Sequence, residues 1–253
     1  MIQNTIHIQS LLLPNLKFAN REEFLYLRKQ FVIEPALQHY EYFRKNGGNA
    51  SHFHKHSKDV GFGVPLIHTL DYNNMFCLRA YGEQAVKTLE IWQQWIAGLY
   101  PHTTKSAVSM SENYSLEKSE EPHYYISYNY IPFNNCLKAG NFFVDADRTV
   151  QDEENILQKR LIGNLRTFLT NIGLNDRGMD TEFQLQRYPD QSVSYAALLK
   201  ESMIYKSALQ VIVKTNLSLP LLFSLGQNVG YGCGLFEKVM EKSQNQVKNI
   251  NIF

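Results

Sequence analysis

Apolar and polar positions alternate from Ile2 to Leu13, in an aliphatic-rich run closed by Pro14, which predicts a first β-strand. Asn20 then precedes Arg21-Glu22-Glu23, and apolar residues return at Phe24, Leu27, Phe31 and Val32. A capping Asn, acidic residues in the first turn and helical spacing predict a helix from here. Pro35 lacks the N–H that a helix interior needs, so it should kink or divide this region. The helical pattern resumes through Leu37, Tyr40 and Phe43, and Asn46-Gly47-Gly48-Asn49 stops it. Residues 51–64 are polar and rich in histidine. Two short strands follow, Pro65–Leu70 and Met75–Arg79, joined by Asp71-Tyr72-Asn73-Asn74. Residues 81–100 read as a second helix, with Ala85, Leu89, Trp92 and Ile96 on one face. Strand, helix, strand, strand, helix is most of a ferredoxin-like unit.

Residues 103–122 are rich in Ser, Glu and Lys and poor in aliphatics, which marks a domain junction with room for an edge strand. Beyond it the pattern predicts a strand at 124–133 and a helix at 152–172 carrying Ile156, Leu157, Leu161, Leu165, Phe168 and Leu169. Strands are predicted at 179–187, 205–215 and 235–239, with a glycine-rich loop before the last. The expected fold class is α+β, two ferredoxin-like domains in tandem. Residues 1–115 hold the histidine cluster and residues 116–253 the glycine-rich loop. No internal sequence repeat accompanies this two-part pattern.

The chain has 253 residues, 44% hydrophobic and 19% charged, the composition of a globular protein. It lacks an apolar run long enough for a membrane span and a signal-like start, so a soluble cytoplasmic protein is expected. Three scattered cysteines, Cys77, Cys136 and Cys233, argue against a disulfide framework or a paired-cysteine metal site. A net charge of +1 is low for a nucleic-acid binder, so any phosphate-binding surface must come from segregated charge. The fifteen Tyr and fifteen Phe could stack on unpaired bases, but most belong in the core.

Two segments carry candidate chemistry. Gly226, Gly230, Gly232 and Gly234 fall within nine residues, next to Gln227 and Asn228. Glycines permit positive φ and close backbone approach, so such a loop can turn several N–H groups toward a phosphate; it can equally be a plain turn. It is neither a Walker loop nor a dinucleotide fingerprint. The second segment is His52-Phe53-His54-Lys55-His56. In an extended chain the three imidazoles share one face, which suits a zinc site, a solvated loop or a general base. Lys159, Arg160 and Arg166 lie on the polar side of the predicted 152–172 helix, where they either follow an RNA backbone or complement the helix dipole.

Taken with Thr215-Asn216 and Leu219-Pro220 before it, the glycine-rich loop resembles that of the CRISPR repeat-processing endoribonucleases of the RAMP superfamily. Ser224, Gln227 and Cys233 stand where that family usually has glycine, a basic residue and phenylalanine. One basic side chain is therefore absent while the backbone pattern remains. Asn134, Asn141, Leu161-Ile162-Gly163-Asn164 and Ile172-Gly173 are similar to the family's C-terminal domain. Phe53-His54-Lys55-His56, Gly61 and Pro65-Leu66-Ile67-His68 are similar to an N-terminal pattern of the family, with Thr69 and Leu70 in place of its Tyr-Lys. The resemblance spans residues 35–240.

It implies a nuclease that cuts precursor RNA within repeats by attack of the 2′-hydroxyl, leaving a 2′,3′-cyclic phosphate, with no metal or cofactor. His54 or His56 is the expected base and His52 a weaker candidate. Lys55 and Lys58 are the nearest charge stabilisers, and Tyr40 or Tyr42 orients the hydroxyl. The expected partner is CRISPR repeat RNA, with other effector subunits possible and the oligomeric state open. The alternatives are a non-catalytic RAMP subunit that holds guide RNA, a weakly active relative, and a zinc hydrolase.

Overall fold

The computed structural model describes residues 5–53, 56–57, 61–62, 65–132, 150–174, 182–199, 202–226, 229 and 232–239, with backbone only for 56–57, 61–62, 150–153, 187–199 and 202–207. The first strand, β1 (Thr5–Leu13), is buried along nearly its whole length. Leu11 and Leu13 belong to the first core, whereas Ile6 and Ile8 belong to the second. The strand is covered on both faces, which is why its apolar pattern is denser than simple alternation.

Helix α1 (Arg21–Arg28) begins as its sequence predicts: Asn20 Oδ1 accepts from Glu23 N at 2.9 Å, and Glu23 Oε2 accepts from Ala19 N at 2.7 Å. Such a cap contributes about 1 kcal/mol. The helix widens to a π-turn at Lys29–Ile33 and restarts as α2 (Glu34–Gln38), with Pro35 in its first turn. Proline cannot donate to the carbonyl of Phe31, four residues back. The indole N–H of Trp92 donates to that oxygen instead, at 2.9 Å. Helix α3 (Tyr40–Lys45) completes this side.

A short pair, β2 (His56–Ser57) and β3 (Gly61–Phe62), leads to the hairpin β4 (Ile67–Tyr72) and β5 (Met75–Tyr81). Asn73 and Asn74 make its two-residue turn with positive φ, as a hairpin of right-handed twist requires. Helix α4 (Glu83–Leu99) and the short α5 (Pro101–Thr104) precede β6 (Val108–Ser115). The sheet order β4-β5-β1-β6, all antiparallel, is the ferredoxin-like arrangement.

After Leu116 the chain enters β7 (Glu117–Tyr130) directly. The junction predicted at 103–122 is thus largely strand: β6 is a full edge strand, and its exposed polar face accounts for the lack of aliphatics. Helix α6 (Val150–Asn171) follows, then β8 (Phe183–Leu199), β9 (Ser202–Ser218), β10 (Leu222–Ser224) and β11 (Leu235–Lys238). The order β10-β11-β7-β9-β8 contains a second ferredoxin-like set. Between β9 and β11 the described residues form β10 and a glycine-rich turn where that plan would place its second helix. Before Leu209, residues 202–208 of β9 pair only with β8, so the hairpin projects past β7. None of the described helices is long and apolar enough to cross a membrane.

The open face of the first sheet packs on the second half. Ile6, Ile8 and Tyr81 join one core with Leu157, Leu161, Leu165 and Phe168 of α6 and Phe223 of β10. His68 is fully buried there, 4.9 Å from the Tyr81 ring and 6.1 Å from that of Phe168. Its Nε2–H donates to the Pro65 carbonyl at 2.9 Å, and Nδ1 is buried without a partner. Burial lowers its pKa to about 4. The unfolded chain therefore takes up this proton first as pH falls. The stability held above pH ~6.5 is lost on the way down to pH ~4. Between pH 7 and pH 5 this group should cost about 2 kcal/mol. Urea midpoints at the two pH values, compared between the wild type and His68→Phe, check this; the variant should lose less stability over that interval.

Candidate nucleic-acid interface

The glycine-rich turn is built by close backbone packing. Leu225 N donates to Gly234 O, Gly234 N to Asn129 O and Gly232 N to Val229 O, each at 2.9 Å. The Asn129 side chain closes the base of the turn, accepting from Leu235 N at 3.0 Å. Gly226, Gly232 and Gly234 all have positive φ. A Cβ on Gly234 would lie 1.8 Å from the Leu225 carbonyl oxygen, one on Gly226 2.6 Å from that of Ile131, and one on Gly232 2.8 Å from that of Thr69. The N–H groups of Gly232 and Gly234 are thus committed inside the protein. Gln227, Asn228 and Gly230 lie outside the described residues.

Thr69 belongs to β4, so the turn is wedged against the first half of the chain. Arg21, at the first position of α1, completes that contact. Its guanidinium lies 4.7 Å from the centre of the Phe24 ring, and Nη2 is 3.8 Å from Cys233 Sγ. Sequence reasoning missed this residue; the signal was a cation at a helix start, where the dipole favours acids. On the other side Arg160 Nε donates to Pro132 O at 3.0 Å, next to the Tyr130–Ile131 segment that Gly226 touches. Asn164 Nδ2 donates to the Tyr130 hydroxyl at 3.0 Å. Lys159 and Arg166 are exposed and seven residues apart, hence on one stripe of α6. Arg160 is turned about 100° from Lys159, toward the end of β7.

The histidine segment rests on a different part of the first half. Thr88 Oγ1, on α4, donates to Gln84 O at 2.8 Å and accepts from Asn49 N at 2.9 Å. His52 Nδ1 lies 3.1 Å from the same oxygen. The hydroxyl proton is already committed, so His52 Nδ1 carries the proton and donates. His52 is 7% exposed, and Phe53 packs among Phe43 and Trp92. Residues 49–53 are thereby pinned to the core immediately before His54. His54, Lys55 and Lys58 lie outside the described residues, and of His56 only the backbone is described, pairing with Phe62. Tyr40 is 45% exposed and Tyr42 is also exposed, both on α3. Beside Tyr40, the Arg44 guanidinium and then the Tyr40 hydroxyl hold the Glu41 carboxyl below its usual pKa. Asn134, Asn141 and Cys136 also fall outside the described residues.

Two antiparallel sheets, each with a ferredoxin-like strand order and bridged by the glycine-rich turn, make a tandem ferredoxin-like architecture. Among solved structures, the chain is similar to the CRISPR RNA processing endoribonuclease Cas6b at 14% identity and a TM-score of 0.60, covering 93% of this chain and 100% of that one. A second Cas6b structure matches at 12% identity and a TM-score of 0.60, with the same coverage. Csf5, a type IV Cas6 crRNA endonuclease, matches at 10% identity and a TM-score of 0.56, again over 93% of this chain and 100% of that one. At these identities the likeness establishes the fold. No family model and no curated protein matches the sequence.

The packing of the turn is directly testable. Gly234→Ala should cost about 3 kcal/mol, because a backbone atom stands where the Cβ would go. Gly163→Ala, on α6 with open space around it, should instead stabilise by about 0.5–1 kcal/mol. Thermal and urea unfolding of the two variants check both.

Proposed function

We propose that this chain is a CRISPR repeat-processing endoribonuclease that acts without a metal. The observation that carries the reading is the glycine-rich turn, wedged between the two ferredoxin-like units, with Arg21 on one side and Arg160 on the other. Residues 1–115 serve as the unit bearing the base, and residues 116–253 as the unit bearing most of the RNA backbone contacts. The likeness to Cas6b and to the type IV Cas6 crRNA endonuclease supports the same assignment.

RNA supplies its own nucleophile, the 2′-hydroxyl beside the scissile phosphate. The protein must take that proton, hold the in-line geometry and stabilise charge on the phosphorane. His54 or His56 takes the proton. His52 is the weaker candidate, because its Nδ1–H is tied to Thr88 and its ring is buried. Lys55 stabilises the charge, and Tyr40, at the exposed start of α3, orients the hydroxyl. Phosphate contacts from the turn fall to residues 226–231, including Gln227, Asn228 and Gly230, since the N–H groups of Gly232 and Gly234 are already used. Lys159, Arg160 and Arg166 continue the track along α6. The partner is repeat RNA in the cytoplasm, with other effector subunits able to join the product complex.

The test is incubation with labelled repeat RNA in EDTA, beside a copy with one 2′-deoxy at the cut site. Cleavage that the deoxy substitution blocks is the expected result; binding without cleavage would make the chain a guide-holding subunit instead. His54→Ala or His56→Ala should lower single-turnover cleavage at least ~100-fold while binding stays within a few fold. Full activity in both variants would remove the cluster from the mechanism. The double variant Arg160→Glu, Arg166→Glu should weaken binding and flatten the plot of log affinity against log salt by about 1.4–1.8 units of slope, read by fluorescence anisotropy.

A further inference from the structure

A cleft of about 400 Å³ lies on the open face of the first sheet, away from the histidine segment and lined from all four strands of that sheet. Strands β10 and β11, which flank the glycine-rich turn, roof it. The floor is polar. Arg79, on β5, is 6% exposed and reaches across β1 and on to β6. Its Nη1 donates to Ser10 Oγ at 2.6 Å and its Nη2 donates to a carboxylate oxygen of Glu112. Its Nε is buried with no partner. The Glu112 side chain keeps 40% of its surface exposed, so one carboxylate oxygen is free of Arg79. The walls are largely apolar, with Leu12 and Met110 below and Leu221 and Leu222 above. Leu221 is 49% exposed, a large apolar side chain hanging over an open slot.

We propose that this cleft is a guanine-selective slot for an unpaired nucleotide of the RNA, an inference that rests on the reading of the chain as an RNA-binding protein. The volume suits a nucleotide-sized ligand and far exceeds what a lone phosphate needs. Its two carboxylates, Glu112 and Glu237, are balanced by Arg79 and Lys238, so the cleft has no net charge to favour a bare anion. A flat base slides between the Met110 and Leu221 side chains, with an edge toward the floor. A carboxylate only accepts hydrogen bonds, and each oxygen has two lone pairs. Guanine alone among the four bases offers two adjacent donors on its Watson–Crick edge, N1–H and the N2 amino group. Adenine and cytosine offer one amino group beside an acceptor, and uracil one N–H between two acceptors. Guanine O6, next to N1, then lies toward the guanidinium side of the floor, where Arg79 lines the cleft. Lys238, at the rim, is placed for the backbone phosphate of that nucleotide. Unpaired bases read on this edge are the usual basis of sequence-specific RNA recognition.

The experiment measures anisotropy of labelled pentaribonucleotides UUGUU, UUAUU, UUCUU and UUUUU with the full chain. A fifth carries inosine at the centre, which keeps N1–H and lacks the amino group. Wild-type protein should bind UUGUU at least tenfold tighter than the A, C and U forms, with inosine in between. Glu112→Gln should reduce the preference to twofold or less. Leu221→Trp, which fills the slot from its exposed rim without touching the Arg79–Glu112 pair, should do the same and decides the matter if Glu112→Gln does not fold. Equal binding of all five by the wild type, or a preference retained in the folded Leu221→Trp protein, overturns the inference. Repeat RNA binding and cleavage are scored on the same samples. Loss of those with guanine preference intact would sink only the nuclease reading, and normal cleavage without the preference would sink only the guanine slot.

Discussion

The burial of both faces of the first sheet governs this molecule. One face takes α1 and α4, as a ferredoxin-like unit requires. The other face takes the second half of the chain, through Ile6, Ile8, His68 and Tyr81 against Phe168 and Phe223. A sheet covered in this way cannot slip in register, because a one-residue shift would exchange two different cores. It also carries a cost, since His68 must stay neutral with an unpaired nitrogen in an aromatic cage.

The same packing determines what the glycine-rich turn can do. Three of its glycines stand where another backbone atom lies within van der Waals distance of a Cβ, and two of its N–H groups are spent inside the fold. The turn is first an interlock between the halves. It lies between a guanidinium from α1 and another from α6, which gives it a locally cationic setting. Overall net charge says nothing of this, because charge acts locally at such a site.

The histidine segment shows a comparable division. Its foot, Asn49 to Phe53, is held by a threonine hydroxyl and an aromatic core. Proton transfer depends on position before it depends on pKa. The Thr88 contact therefore bears on any chemistry performed by the residues that follow.

Local chemistry made much of the fold legible in the sequence. The Asn20 cap, the break at Pro35, the Asn73-Asn74 turn and the stripes of α4 and α6 each depend on residues within a few positions of one another, so they could be read directly. The α+β class and the two-part pattern followed from them, and the glycine and histidine segments stood out as candidates by composition alone. Strand β6 was harder to see, because an edge strand with a solvated face has no apolar period. Strand β10 was missed because it is too short for one. The roles of Arg21, His68, Arg79 and Thr88 were decided only by the tertiary structure. Arg21 meets a cysteine 212 positions away and Arg79 a glutamate 33 away, and no local pattern encodes contacts made by bringing distant segments together. By itself the sequence determined the elements and the kinds of chemistry present. The packing of one half on the other decided which side chains share a site, because that burial sets their distances and their dielectric surroundings.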